Sequence, residues 1–110
     1  MKPMPPASVR LRRSGDHRHT MDILHNPAAS RFETAVDGQL CIGQYRMFRN
    51  VMMLVHTSVP SALRGRGIAA AMVRAALDHA RAKGWSVRPD CSYAAGYIER
   101  HPDTQDLLVE

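Results

Sequence analysis

The first half of the chain alternates apolar and polar residues in the manner of β-strands. Every second residue of Arg31–Val36 falls on one face, which predicts a half-buried strand. Asp37-Gly38 follows, a dipeptide typical of a two-residue hairpin, and Leu40–Tyr45 is the predicted return strand. Arg49-Asn50 turns the chain again before Val51–Val55, an apolar run typical of a more buried strand. An antiparallel meander is therefore predicted to precede any helix.

The second half changes to a helical period. Apolar residues recur every three to four positions over Leu63–Lys83, which predicts a long amphipathic helix that stops at Gly84. Trp85–Arg88 is a short predicted strand, and a second helix over about Tyr93–His101 is stopped by Pro102. This order predicts an α/β domain of the α+β type, with a mostly antiparallel central sheet and the long helix packed on it.

Charge divides the chain into a tail and a folded domain. The 110 residues carry a net charge of +5. Residues 1–20 hold five basic residues and one acidic residue (+4), whereas residues 21–110 hold 10 basic and 9 acidic residues (+1). The tail also has three prolines and few large apolar residues, so we predict a disordered basic tail over 1–20 and one folded domain over 21–110. A nearly neutral domain argues against a nucleic-acid interface on a folded face.

Cysteine and histidine usage narrows the class further. Two cysteines, Cys41 and Cys91, are too few for a disulfide framework, so a reducing cytoplasm is the expected compartment. No apolar run is long enough to span a bilayer, and no membrane partner is predicted. No metal site is predicted either, because the spacing of metal ligands is absent from His17, His19, His25 and His79.

A glycine-rich stretch between the apolar run and the long helix is the strongest chemical signal. The sequence from Arg64 to Ala69 reads Arg-Gly-Arg-Gly-Ile-Ala. The N–H groups of a helix's first turn lack intrahelical partners and attract anions. Gly65 and Gly67 let a ligand approach the backbone, and the arginines Arg64 and Arg66 add donors suited to phosphate. The stretch predicts a phosphate or pyrophosphate cradle.

The same stretch has two other interpretations. Residues Gly65–Ala70 also fit the Gly-x-Gly-x-x-Ala dinucleotide fingerprint. That fingerprint belongs in an early strand–helix–strand unit of a parallel sheet, whereas three antiparallel strands are predicted to come first here. A tight turn at a helix start, with no ligand, is the second alternative.

At these residues the chain resembles the GCN5-related N-acetyltransferase (GNAT) superfamily, whose acetyl-CoA loop reads Arg/Gln-x-x-Gly-x-Gly/Ala. It is also similar to a subfamily of minimal, single-domain GNAT-like proteins. That similarity covers Met21 to Val109, so we expect residues 1–20 to be an extension. The matching motifs are Phe32-Glu33-x3-Asp37-Gly38, His56-Thr57, Pro89-x-Cys91 and Tyr97-Ile98-x2-His101-Pro102.

The resemblance implies a truncated acyl-CoA N-acyltransferase fold and an acetyl-CoA-dependent N-acetyltransferase. Acetyl-CoA is the implied cosubstrate, and the acceptor is an amine of a protein or a small metabolite. The implied contacts of the cofactor are Val59, Arg64, Gly65, Arg66, Gly67, Ile68 and Ala69.

The resemblance also places the catalytic groups. Residues Val55–Val59 would lie where the sheet opens to admit the pantetheine arm. The related small proteins usually have Glu after His-Thr, whereas this chain has Ser58, which cannot accept an amine proton without help. His56 is the substitute base, because an unperturbed imidazole titrates near pH 6.5. A strand histidine satisfied by the backbone is the equal alternative.

Two further side chains have implied roles. Cys91 precedes the second helix, whose N-terminus can activate a thiol, so an acetyl-cysteine route stands beside a buried, inert cysteine. Tyr97 is the implied acid for the departing CoA thiolate, with Tyr93 as its competitor. Two other function classes stay open. One is a non-catalytic acyl-CoA-binding or interaction module, and the other is nucleic-acid association through the basic tail.

Overall fold

A computed structural model describes residues 21–109. The predicted basic tail, residues 1–20, lies outside the described residues. Five strands are present: β1 (Leu24–Asn26), β2 (Arg31–Val36), β3 (Gln39–Phe48), β4 (Val51–Ser58) and β5 (Ser86–Pro89). They form one sheet in the order β1-β2-β3-β4-β5, in which β1 to β4 are antiparallel and β5 is parallel to β4. The predicted α+β class is confirmed, and the parallel sheet required by the dinucleotide alternative is not what these strands form.

The meander follows from its turns. Asp37 and Gly38 both have positive φ, 52° and 75°, which is the backbone of a tight hairpin turn between Val36 and Gln39. The predicted hairpin is therefore confirmed. Arg49 also has a positive φ of 56° and turns β3 into β4. Both β3 and β4 extend further than their apolar patterns predict.

Two irregularities open the sheet at the end of β4. The register of β3 and β4 shifts between Gln44 and Tyr45, which makes Val55 an extra residue and therefore a β-bulge. The parallel pairing of β4 with β5 ends at Leu54 opposite Pro89. Beyond that pair, β4 continues with no strand along this side among the described residues.

Two helices follow the meander: α1 (Ile68–Lys83) and α2 (Ser92–Arg100). The prediction that the long helix begins at Leu63 is wrong. Leu63 ends a short 3₁₀ turn, and Gly65 and Gly67 then adopt left-handed backbone with φ near 83° and 82°. The helix ends as predicted at Gly84, where φ is 75°.

Both helices pack on one face of the sheet and share a single core. Val87 of β5 and Ala80 of α1 are fully buried in it. A second, smaller cluster joins Cys41, Leu63, Ile68 and Met72 beside the start of α1. The chain then closes with a 3₁₀ segment, Pro102–Leu107, on the helix side. Within residues 21–109, neither helix is both long enough and apolar enough to cross a membrane.

Candidate functional site

A cavity of about 530 Å³ lies between the start of α1 and the last residues of β4. That volume falls in the range typical of small-molecule sites. It is lined by His56, Thr57, Ser58, Val59, Leu63, Arg64, Gly65, Gly67, Ile68, Ala69 and Tyr93. The glycine-rich stretch and the end of β4, which the sequence treats as separate signals, thus face one space.

The start of α1 presents bare backbone to this cavity. Gly67 is the residue that precedes the helix, and no side chain caps its first turn. Ala71 N–H donates to the Gly67 carbonyl at 3.0 Å, so the N–H groups before Ala71 have no acceptor further back in the helix. A Cβ placed on Gly65 or Gly67 would meet no atom within 4 Å. Free donors and open space together suit an anion.

The two arginines of the stretch are separated by the fold. Arg64 lines the cavity, and its Nε donates to the Val59 carbonyl at 3.2 Å. Arg66 instead reaches the β2–β3 hairpin, where it donates to the Asp37 carboxylate at 3.0 Å. It borders a neighbouring depression beside Met21 rather than the cavity. The prediction that Arg66 faces the same anion as Arg64 therefore needs correction, because Asp37 draws its side chain to the hairpin.

The end of β4 offers the second wall. Because β5 leaves β4 at Leu54, the side of β4 beyond that residue carries N–H and C=O groups with no strand beside them. His56 is exposed, and it lines the cavity together with Thr57 and Ser58. This arrangement can hydrogen-bond an extended ligand as a neighbouring strand would and can place an imidazole beside it.

Cys91 lies behind this wall, immediately before α2. Its Sγ is 3.7 Å from the Thr57 hydroxyl, and the thiol is half-buried. Burial raises the pKa of the Cys91 thiol, but the backbone N–H groups of Ala94 and Tyr93, together with Thr57, bring the pKa below its ordinary value. Cys41, in contrast, is fully buried in β3, and burial raises its pKa. Of the two cysteines, Cys91 is the one whose thiol pKa is lowered.

Of the two tyrosines of α2, the competitor Tyr93 rather than Tyr97 lies at the cavity. Tyr93 lines the cavity and is 36% exposed. Tyr97 is only 4% exposed, and its hydroxyl accepts a hydrogen bond from Arg74 Nε at 2.9 Å. Its ring stacks on His101 with centroids 3.8 Å apart. Four residues, a rise of roughly 6 Å, separate the two along α2, and Tyr97 lies off the cavity wall. The predicted acid role of Tyr97 therefore does not fit its position.

One cavity residue, Leu63, is not predicted as part of the site; it is 1% exposed at the foot of the glycine stretch. Thr57 is predicted only as part of Val55–Val59, with no role of its own. An apolar residue immediately before the glycines is the only signal in the sequence that points to Leu63. Across residues 21–109, no three His, Cys, Asp or Glu side chains are grouped to hold a metal ion.

A family model and several known proteins match this chain. Residues 31–107 match the family model described as GCN5-related N-acetyl-transferase. The chain is 30% identical over 103 residues to Protein NATD1 of Mus musculus, a match that covers 94% of this chain and 91% of that protein. It is 37% identical over 59 residues to Protein NATD1 of Homo sapiens, covering 54% of this chain and 52% of that protein.

A solved structure has the same architecture. The NMR solution structure of a GCN5-like protein from Staphylococcus aureus superposes with a TM-score of 0.65. The two sequences are 26% identical, and the match covers 79% of this chain and 86% of that chain.

Proposed function

The chain belongs to the GCN5-related N-acetyltransferase family, and we propose that it transfers the acetyl group of acetyl-CoA to an amine. The observation that carries this proposal is the cavity, which has the bare first turn of α1 at one end and the unpaired side of β4 at the other. One end suits a diphosphate and the other an extended amide chain, and these are consecutive parts of coenzyme A.

The residues present fit the cosubstrate. Backbone N–H groups around Gly65, Gly67 and Ala69 would hold the pyrophosphate, and Arg64 would add charge. Val59 and Ile68 would line the path of the pantetheine arm. Arg66 would join only by leaving Asp37.

That exchange costs little. The two side chains of the Arg66–Asp37 pair are 49% and 60% exposed, and such pairs contribute about 0–1 kcal/mol.

The chemistry follows from the opposite end of the cavity. Acetyl-CoA supplies an activated thioester, and the amine nitrogen forms its bond to the acetyl carbon as the carbon–sulfur bond breaks. His56 would accept the proton that the amine loses, because Ser58 cannot. Tyr93, rather than Tyr97, would donate a proton to the departing sulfur, since its side chain lines the cavity. Two free cysteines suit a reducing cytoplasm, where we place the reaction.

Cys91 provides an accessory route to the same product. Its sulfur would take the acetyl group from the CoA sulfur, which leaves as a thiol with the Cys91 proton, and would then pass the acetyl group to the amine. The lowered pKa of the thiol and its contact with Thr57 favour this step. Mass spectrometry after incubation with acetyl-CoA tests it. An acetyl adduct on Cys91 that Cys91→Ser abolishes is expected, and no adduct at any time point excludes the route.

The main experiment combines binding and turnover. We expect acetyl-CoA to bind with a micromolar-range Kd by calorimetry, and labelled acetyl-CoA to acetylate at least one member of a panel of amines. His56→Gln should lower kcat about a hundredfold or more while leaving the Kd for acetyl-CoA within about twofold. Binding without turnover on any amine would favour the alternative, a non-catalytic acyl-CoA-binding module. Absence of binding would contradict both.

A further inference from the structure

A small void adjoins the cavity beneath the β4 bulge. Its walls include Gly43 of β3, Leu54 of β4 and Met72 of α1. His56 and Thr57 line both the void and the cavity, so the void lies beside the β4 end of the site rather than beside the glycine end. None of the roles assigned above uses it.

The size and lining of the void suit one methyl group. Its volume is about 10 Å³, and on the same measure a single water-sized group needs roughly 10–15 Å³. Leu54, Met72, Val73 and Ala76 contribute apolar side chains to its wall, and Gln44, His56 and Thr57 are the polar residues that line it. The four apolar side chains offer packing contacts to a methyl group.

We propose that this void receives the methyl end of the acyl group, and that Gly43 and Met72 limit the acyl chain to acetyl. The inference rests on the proposed function, because it requires the thioester to lie beside His56 and Thr57. Met72 is 1% exposed and Leu54 6% exposed, so neither wall can retreat without disturbing the core. A longer acyl chain would have to displace one of them.

Gly43 sets the other limit. A Cβ at this position would lie 3.7 Å from the Cβ of Met72, an ordinary contact distance. The backbone of Gly43 lies within the regular β3 strand and has no positive φ, so alanine fits there without strain. The absence of a side chain at Gly43 therefore keeps the void open. Gly43→Ala should fill it without disturbing its neighbours, which makes it a clean probe.

The test is calorimetric titration of the full chain with CoA, acetyl-CoA, propionyl-CoA and butyryl-CoA. In the wild type, acetyl-CoA should bind about fourfold more tightly than CoA, the value of one buried carbon group. Butyryl-CoA should bind at least tenfold more weakly than acetyl-CoA. Gly43→Ala should remove the advantage of acetyl-CoA over CoA and leave the Kd of CoA unchanged.

Met72→Ala should have the opposite effect. It lengthens the void, so butyryl-CoA should gain about fourfold per accommodated methylene relative to acetyl-CoA. Met72→Leu, which nearly conserves volume, is the matched control and should keep the wild-type order. Because Met72→Ala leaves a core cavity, its folding is checked by thermal melting. If it does not fold, Gly43→Ala alone decides.

The outcomes separate the inference from the proposed function. Unchanged ratios among CoA and its thioesters in Gly43→Ala would overturn the inference and leave acetyl-CoA binding intact. Absence of binding by CoA and every thioester in the wild type would overturn the proposed function, and the inference with it. Loss of the acetyl advantage in Gly43→Ala, with CoA binding retained, supports both.

Discussion

The two ends of α1 are built in opposite ways. At its start, Gly67 provides no side-chain cap, and the first-turn N–H groups remain free. At its end, Gly84 N–H reaches the carbonyls of Ala80 and Arg81, and Trp85 N–H donates to Ala80 at 2.9 Å. Both ends use a left-handed glycine, but only the second uses it to close the helix. The N–H groups at the start of α1 can therefore donate hydrogen bonds to a ligand.

The end of α1 is also more tightly packed than its start. Rings of His25, Phe32, His79 and Trp85 pack around the end of α1, with centroids of contacting pairs 4.4–5.7 Å apart. At the start of α1, one side packs on the smaller apolar cluster, whereas Gly65 and Gly67 face open space beside the cavity. A helix held firmly at one end can present its other end rigidly to a ligand without filling the site. Binding should therefore depend on the start of α1 and stability on its end.

The largest expected effect breaks the binding end. Gly67→Glu places a carboxylate where the pyrophosphate would lie, and like charges repel strongly at that distance. We expect the affinity for acetyl-CoA to fall at least a hundredfold by calorimetry. Gly67→Asn is the control, because asparagine tolerates the positive φ of 82° and carries no charge. We expect Gly67→Glu to lose affinity and Gly67→Asn to keep it. Retained affinity in Gly67→Glu would contradict a pyrophosphate site at the start of α1.

The next effect concerns the closed end. Gly84→Ala forces a side chain onto a residue with φ of 75°, which costs about 1–2 kcal/mol of unfolding free energy. For a domain of this size, each kcal/mol lowers Tm by roughly 4–8 °C. Gly84→Asn should retain most of the stability. The Kd for acetyl-CoA should stay within about twofold in both variants, and a large change in Kd would show that the two ends are not independent.

The sequence predicts the closed end better than the open one. A glycine after an apolar period marks a helix end reliably, so Gly84 was identified. The apolar period places the start of α1 too early, because Leu63 continues that period although it belongs to a 3₁₀ turn. The local pattern cannot distinguish a first residue of α1 from a residue of the preceding 3₁₀ turn. The positive φ values of Gly65 and Gly67, which separate the two segments, depend on the surrounding fold.

Local sequence pattern is also not enough to decide which residues line the site. Short motifs in the sequence include the glycine stretch and His56, and both line the cavity. Tyr93 and Tyr97 are four residues apart on α2, and only the packing of Tyr97 against Arg74 and His101 decides between them. The bulge at Val55 is not predicted either, because it depends on how β4 pairs with β3, where Leu54 lies opposite Tyr45 and His56 opposite Gln44.

The smallest expected effect is a pH dependence of stability that arises from two histidines near the end of α1. Burial lowers the pKa of His25 and of His79, and Lys83 lowers both further, with His79 also acting on His25. The folded chain therefore binds these protons less readily than the unfolded chain, whose histidine pKa is 6.5. Stability should be fully present above pH 6.5 and be lost as pH falls through that value toward the lower folded pKa. Between pH 7 and pH 6 each histidine removes at most about 0.7 kcal/mol.

His79→Leu isolates this contribution. Nε2 of His79 is buried and has no hydrogen-bond partner among the residues described, so an apolar side chain removes an unsatisfied group. We expect unchanged or slightly higher stability at pH 7 and a shallower loss toward pH 6, measured by urea unfolding at both values. Acetyl-CoA affinity at pH 7 should not change, because His79 lies at the closed end of α1. An equally steep pH dependence in the variant would show that other groups titrate, and a weakened affinity would show that the aromatic cluster also supports the open end.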